Sequence, residues 1–177
     1  MSRPGFGFRI VVCAALFSAV GALAQHPAYR LAGPVPPAVR AAKKIFLSNA
    51  GGDSGLFPEP FSGDPNRGYT ELYAAFKAAG QFDLVDDPSE ADLVLELQLI
   101  APNGPTNGSK VNGASDPLPM FRLVIYDRET HFVLWTLSES IDPAVGQRNH
   151  DRTFDEALGS LQLKFGTLVG IAAPNAH

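Results

Sequence analysis

Glu90-Ala91-Asp92-Leu93-Val94-Leu95-Glu96-Leu97-Gln98-Leu99-Ile100 alternates with period two: Ala91, Leu93, Leu95, Leu97 and Leu99 are apolar, while Asp92, Glu96 and Gln98 between them are polar. Successive side chains of a strand point to opposite faces, so this stretch predicts a strand with its odd positions in a core. Working outward, Pro88-Ser89 turns the chain into it, and Phe82-Asp83-Leu84-Val85 before that turn reads as a shorter strand. Tyr69, Leu72, Tyr73 and Phe76 recur at the three-and-four spacing of one helix face, with Gly80 as a left-handed cap and Asp64-Pro65 as the start. Lys44 to Ser48 is an apolar run that opens the fold as a strand covered on both faces.

Downstream, Phe121 to Tyr126 and His131 to Ser138 predict a hairpin around Asp127-Arg128-Glu129-Thr130, with a two- or four-residue loop and opposed residue numbers summing to 257. That register sets Ile125 against Phe132 and Leu123 against Leu134 on the core face. On the reverse face it sets Val124 against Val133 and Arg122 against Trp135, a cross-strand cation–π pair. Thr153-Phe154-Asp155-Glu156 fits a capping box ahead of a final helix whose apolar stripe is Phe154, Ala157, Leu158, Leu161, Phe165 and Leu168. The order β-α-β-β-β-β-α predicts an α+β two-layer sandwich: a mainly antiparallel sheet of about five strands with two helices on one face. Two long Gly/Pro/Asn-rich loops, 49–68 and 102–119, interrupt it, and loops of that length are often functional.

The ends speak to export. Arg3 and Arg9, an apolar run of 14 residues from Ile10 to Leu23, and Ala22-Leu23-Ala24 before Gln25 form a secretory signal. The run is shorter than the roughly 20 residues of a membrane span, so the expectation is cleavage and no stable membrane insertion. Cys13 has Val12 before it, unlike a lipoprotein signal. The expected organisation is a signal at 1–24, a Pro/Ala-rich leader at 25–42, a single domain at 43–171 and a tail at 172–177. Of 177 residues, 153 then remain, without cysteine, and loss of Arg3 and Arg9 takes the formal net charge from −4 to −6. That acidity argues against a nucleic-acid or anionic-lipid binder, and one domain of this size must rest on an ordinary core.

Several residues invite a chemical reading. Gly52-Asp53-Ser54-Gly55 matches a protease nucleophile motif, but only His26 lies upstream, and the chain is too short for the two barrels that motif needs. The same residues are similar to the first motif of small Gly-Asp-Ser esterases, whose late Asp-x-x-His motif is missing, since Arg128 precedes His131 and Gln147 precedes His150 by three. A serine hydrolase using Ser54 is therefore the alternative, set against a turn in which Asp and Ser satisfy their own backbone. His131, His150 and Asp151 have no ligand spacing, and His26 and His177 lie in tails, so no metal and no cofactor are expected. Arg148 to Arg152 lies ahead of the final helix as a capped start or an anion cradle. Asp92 and Glu96 are about 13 Å apart along a strand, too far for a carboxylate pair. Tyr69, Tyr73 and Phe76 read as core.

With strand and hairpin in place, the chain resembles small exported bacterial domains: the amino-terminal domain of the Tol-system translocation protein, the curli-secretion lipoprotein's periplasmic domain, and related uncharacterised families. The resemblance is carried by Lys44 to Ser48, Gly80 to Val85, Pro88 to Leu95, and Asp127 through Val133-Leu134-Trp135-Thr136. It implies a non-catalytic binding or assembly module of the cell envelope, periplasmic or secreted, with another envelope protein as partner. No active-site residue carries over. The reverse sheet face is more apolar than solvent requires, and Trp135, Val124, Val133, Leu137 and Arg122 are its predicted binding residues.

Overall fold

A computed structural model describes residues 33–102 and 118–171. The expected signal, the first part of the leader (25–32), the centre of the second loop and the tail lie outside the described residues. In chain order the elements are α1 (Pro37–Ala41), β1 (Lys44–Gly52), α2 (Arg67–Ala79), β2 (Asp83–Leu84), β3 (Leu93–Ile100), β4 (Met120–Asp127), β5 (Val133–Ser140) and α3 (Gln147–Leu168). The class is α+β, as the alternation in β3 implies, and the five strands lie in one sheet in the order β2-β1-β3-β4-β5.

Pairing is mixed. β1 runs parallel to both β2 and β3, whereas β3-β4 and β4-β5 are antiparallel. The sheet is mainly antiparallel, as predicted, through its β3-β4-β5 part, and the parallel pairing is confined to β1. The cause is that α2 and β2 form a crossover that returns the chain beside β1 in the same direction, as parallel neighbours require. β3 is buried at Leu93, Leu95, Leu97 and Leu99 and half-buried between them. Every fully buried strand residue, Ile45, Leu93, Leu95, Phe121, Leu123, Ile125 and Leu137, points to the side that α2 and α3 cover.

Both long helices begin elsewhere than predicted. Asp64-Pro65 precedes α2 rather than opening it: the Asp64 carboxylate accepts from Asn66 N at 2.7 Å, and its carbonyl accepts from Arg67 N at 3.0 Å. Gly80 closes α2 at φ 61°, as predicted. α3 starts at Gln147, six residues before Thr153, so Thr153 is no cap; its hydroxyl donates to the carbonyl of His150 one turn back. The Phe154-to-Leu168 stripe is buried as the spacing required.

The 49–68 segment is packed rather than loose. β1 extends through Gly52, Leu56 and Phe61 are buried, and Phe61 stacks on Phe57 and Phe154, with ring centroids 6.2 and 5.2 Å away. Upstream, α1 sets Val39 into the core beside Val35 and Ala42.

Candidate functional site

The hairpin decides what each sheet face carries. Asp127 takes Glu129 N, Thr130 N and the Thr130 hydroxyl on one carboxylate oxygen, and its own N–H donates to the carbonyl of Phe132. The turn is therefore Arg128 to His131, with His131 in the left-handed region at φ 58°. Asp127 opposite Phe132 moves the pairing sum from 257 to 259, an even shift that leaves faces unchanged. One irregularity follows, between Ile125 and Tyr126, where Leu134 is the extra residue of a bulge. Beyond it Ile125 opposes Trp135, Leu123 opposes Leu137 and Arg122 opposes Ser138.

The bulge therefore corrects the predicted register. Trp135 lies opposite fully buried Ile125 on the helix-covered side, and Leu137 is 1% exposed there. The Arg122-Trp135 cation–π pair does not form; Arg122 Nη2 instead donates to Gln98 Oε1 at 2.5 Å, and its Nε is buried without a hydrogen-bond partner among the described residues. Phe132, predicted to be in the core, is 72% exposed at the hairpin tip, and Leu134 is half-buried at the bulge. Of the five predicted binding residues, Arg122, Val124 and Val133 share the reverse face, and Trp135 and Leu137 are turned away from it.

No described helix covers that reverse face. Four rows cross it in register: Phe46-Val94-Tyr126-Val133, Ser48-Glu96-Val124-Thr136, Gln98-Arg122-Ser138 and Ile100-Met120-Ser140. The middle rows are polar. The Tyr126 hydroxyl donates to Glu96 Oε1 at 3.3 Å, and desolvation together with the Glu96 charge raises its pKa. The row at the hairpin end is apolar apart from the Tyr126 hydroxyl, and it ends at Val133, 55% exposed, beside Phe132. Val94 is legible as a reverse-face residue from period two, whereas Lys44 to Ser48 reads as covered on both faces, which Phe46 on this face corrects; the alignment of both with Val133 depends on the bulge.

The other candidates resolve into structural roles. Asp53 accepts from Gly55 N at 2.9 Å, closing a 3-10 turn over Ser54–Leu56, so its side chain satisfies local backbone as a turn would. Among the described residues no histidine hydrogen-bonds to Ser54, and His150 packs edge-on against Phe61, centroids 6.0 Å apart. His150 borders a mainly apolar cleft of about 230 Å³ with Leu56, Phe61, Pro119 and Ile141. Among the described residues no group of His, Cys, Asp or Glu is placed to hold a metal.

Asp151, read as part of an anion cradle, is already engaged: it accepts from Ser62 N at 2.9 Å and from Arg67 Nη1 at 2.6 Å. Burial alone would raise its pKa, but these donors and the Arg67 charge outweigh it and hold the carboxyl below its usual range. Arg67 was not singled out in the sequence, because nothing in its neighbours announces long-range partners. It also binds Glu71 and Asp155 at 2.8 and 2.6 Å and lies 4.3 Å over the Phe154 ring, joining α2, α3 and the 49–68 segment. Burial pulls its pKa down, and the surrounding carboxylates more than reverse that.

No protein-family model matches the chain, and no curated protein matches it. Solved structures do. A hypothetical protein from Chlamydia trachomatis aligns with TM-score 0.47 at 10% identity, over 72% of this chain and 98% of its own. The PelC dodecamer from Paraburkholderia phytofirmans aligns with TM-score 0.40 at 13% identity, over 78% and 95%. A lipoprotein from Neisseria meningitidis aligns with TM-score 0.35 at 12% identity, over 71% and 99%. Neither the Tol-system protein nor the curli-secretion lipoprotein is among these three, and at such scores no activity or partner passes from them to this chain.

Proposed function

We propose that this chain is an exported, non-catalytic binding or assembly module of the bacterial cell envelope, periplasmic or secreted, which holds another envelope protein on the helix-free face of its sheet. The observation that carries the reading is the apolar row Phe46-Val94-Tyr126-Val133 with exposed Phe132 at its end, on a face that no described helix covers. Such a row costs solubility unless something covers it, and adjoining apolar side chains on a bare face mark interaction sites. Val124 lies in the adjoining row and Arg122 in the one beyond it. Among the described residues no helix is long and apolar enough to cross a membrane.

The test is recovery of envelope proteins on the immobilised chain, wild type against Val133→Glu. Val133 is exposed, so the substitution leaves the core alone; it sets a charge into the row. Loss of a central apolar contact with burial of an unpaired charge is worth at least about 1.4 kcal/mol, so the partner's affinity should fall roughly tenfold or more. Unchanged recovery would remove the face from consideration.

A further inference from the structure

We infer that β5 is a docking edge for a second copy of this chain, the two β5 strands pairing antiparallel about a two-fold axis at Ser138 to join two sheets into one. The backbone bonds show which groups are free. Ile141 N donates to Pro119 O at 2.9 Å, and antiparallel pairs alternate between those that exchange bonds and those that do not. Counting from Pro119 and Ile141, the pairs Phe121/Glu139, Leu123/Leu137 and Ile125/Trp135 exchange bonds. Thr136, Ser138 and Ser140 therefore turn their N–H and C=O groups outward, where no described strand lies. The Ser138 carbonyl points outward but already accepts from the Lys164 ammonium at 3.3 Å, so the partner's N–H takes its second lone pair.

The opposite edge of the sheet is closed by comparison. β2 caps the start of β1, Asn66 holds Asn49 at 2.8 Å, and Pro65 lies so close to Gly52 that a Cβ there would meet its carbonyl oxygen at 2.7 Å. β5 has eight residues, no proline and a single charge, Glu139, which is already paired with Lys164. These are the properties of an edge left open to pairing.

Self-complementarity selects a second copy as occupant. An axis at Ser138 sets Ser138 against the partner's Ser138 and Thr136 against the partner's Ser140, small polar side chains with no like charges opposed. Glu139 and Lys164 of both copies surround the axis as two negative and two positive charges. The same register carries Phe132 and Val133 of one copy toward the partner's Pro143, Ala144 and Val145. Phe132, Val133 and Val145 are three of the five large apolar residues exposed among those described.

The test uses the full chain with Cys13→Ser, so that an introduced thiol is the one cysteine. Ser138→Cys sets paired Cα atoms about 5.5 Å apart across the axis, whereas Ser140→Cys sets them about 14 Å apart. A short bis-thiosulfonate reagent should crosslink Ser138→Cys to a dimer and leave Ser140→Cys monomeric. A mixture of Thr136→Cys and Ser140→Cys should give a crosslinked heterodimer. Sedimentation should show a wild-type dimer whose dissociation constant rises at least tenfold in Ser138→Lys, which opposes two ammonium groups. A wild type that stays monomeric at every soluble concentration, or crosslinking at Ser140 as efficient as at Ser138, overturns the inference. Because Val133 lies in this interface as well, the two readings are separated by Val94→Glu, which sits in the apolar row two strands from β5: loss of envelope-protein recovery there with the dimer unchanged belongs to the reverse face alone.

Discussion

At the residue scale, two polar side chains hold the fold together at positions that sequence reading left as surface. Asp92, an exposed member of the alternating stretch, accepts from Lys43 N and Lys44 N at 2.8 and 2.9 Å, so one carboxylate oxygen fixes the start of β1 to the start of β3. Those two bonds, foremost that from Lys44, hold its pKa below the usual range, and the bonds from Thr130 do the same for Asp127. A carboxyl whose folded pKa is depressed contributes stability that is complete above its unfolded value of about 3.9 and is lost as pH falls through the folded value. Thermal melts should therefore fall steeply below about pH 4. Asp92→Asn should melt lower at pH 7 and lose less on acidification; an unaltered acid slope would show that the two bonds contribute nothing.

Arg67 is the second such residue. Arg67→Met keeps an apolar stem over Phe154 but leaves half-buried Asp151 with Ser62 alone to donate to it and no positive charge beside it. Because Asp155 and Glu71 are more exposed, most of the loss falls on Asp151, and urea unfolding should show a destabilisation of about 2 kcal/mol. A change within a few tenths would mean that solvent replaces the guanidinium. The bulge at Leu134 acts at the same scale with a larger structural effect, since one extra residue reverses the face of everything after it in β5.

At the element scale, helices and strands were legible wherever one face is buried over several turns or pairs. The stripe from Phe154 to Leu168 and the alternation from Leu93 to Leu99 needed no tertiary information. The ends were not legible in the same way. α3 begins at Gln147, whose side chain donates to the carbonyl of Pro58 at 2.9 Å, and α2 begins under the Arg67 network; both starts depend on contacts with the 49–68 segment. The β5 register escaped for a similar reason, because Asp127 can close turns of more than one length and only the packed hairpin chooses among them. The exposed reverse face was legible in part: Arg122, Val124 and Val133 follow from period two up to the bulge, and Trp135 and Leu137 lie past it.

Gly68 tests how closely α2 sits on the sheet. A Cβ there would come 2.9 Å from Phe121 Cε1 and 3.7 Å from Phe154 Cζ. Alanine in a helix normally gains about 1 kcal/mol over glycine. Here overpacking of a fully buried phenylalanine, costing about 1 to 3 kcal/mol, should win. Gly68→Ala should thus unfold at lower urea than wild type, and a stabilised variant would show that Phe121 has room to move.

At the scale of the whole molecule, both long helices lie on one side of a five-stranded mixed sheet, and that asymmetry is the basis of the functional reading. The core uses the odd residues of β3 and β4, so their even residues are free to form a surface of different chemistry. The result is a polar middle, an apolar row at the hairpin end, and an open edge along β5. The measurement that tests the central claim most directly is photo-crosslinking in cells with a photoreactive amino acid at Val133 on the bare face and at Thr70 on the outer side of α2. The account predicts a discrete adduct with another envelope protein from Val133, abolished by Val94→Glu in the same row, and none from Thr70. Equal adducts from both positions, or none from Val133 in folded protein, would contradict it.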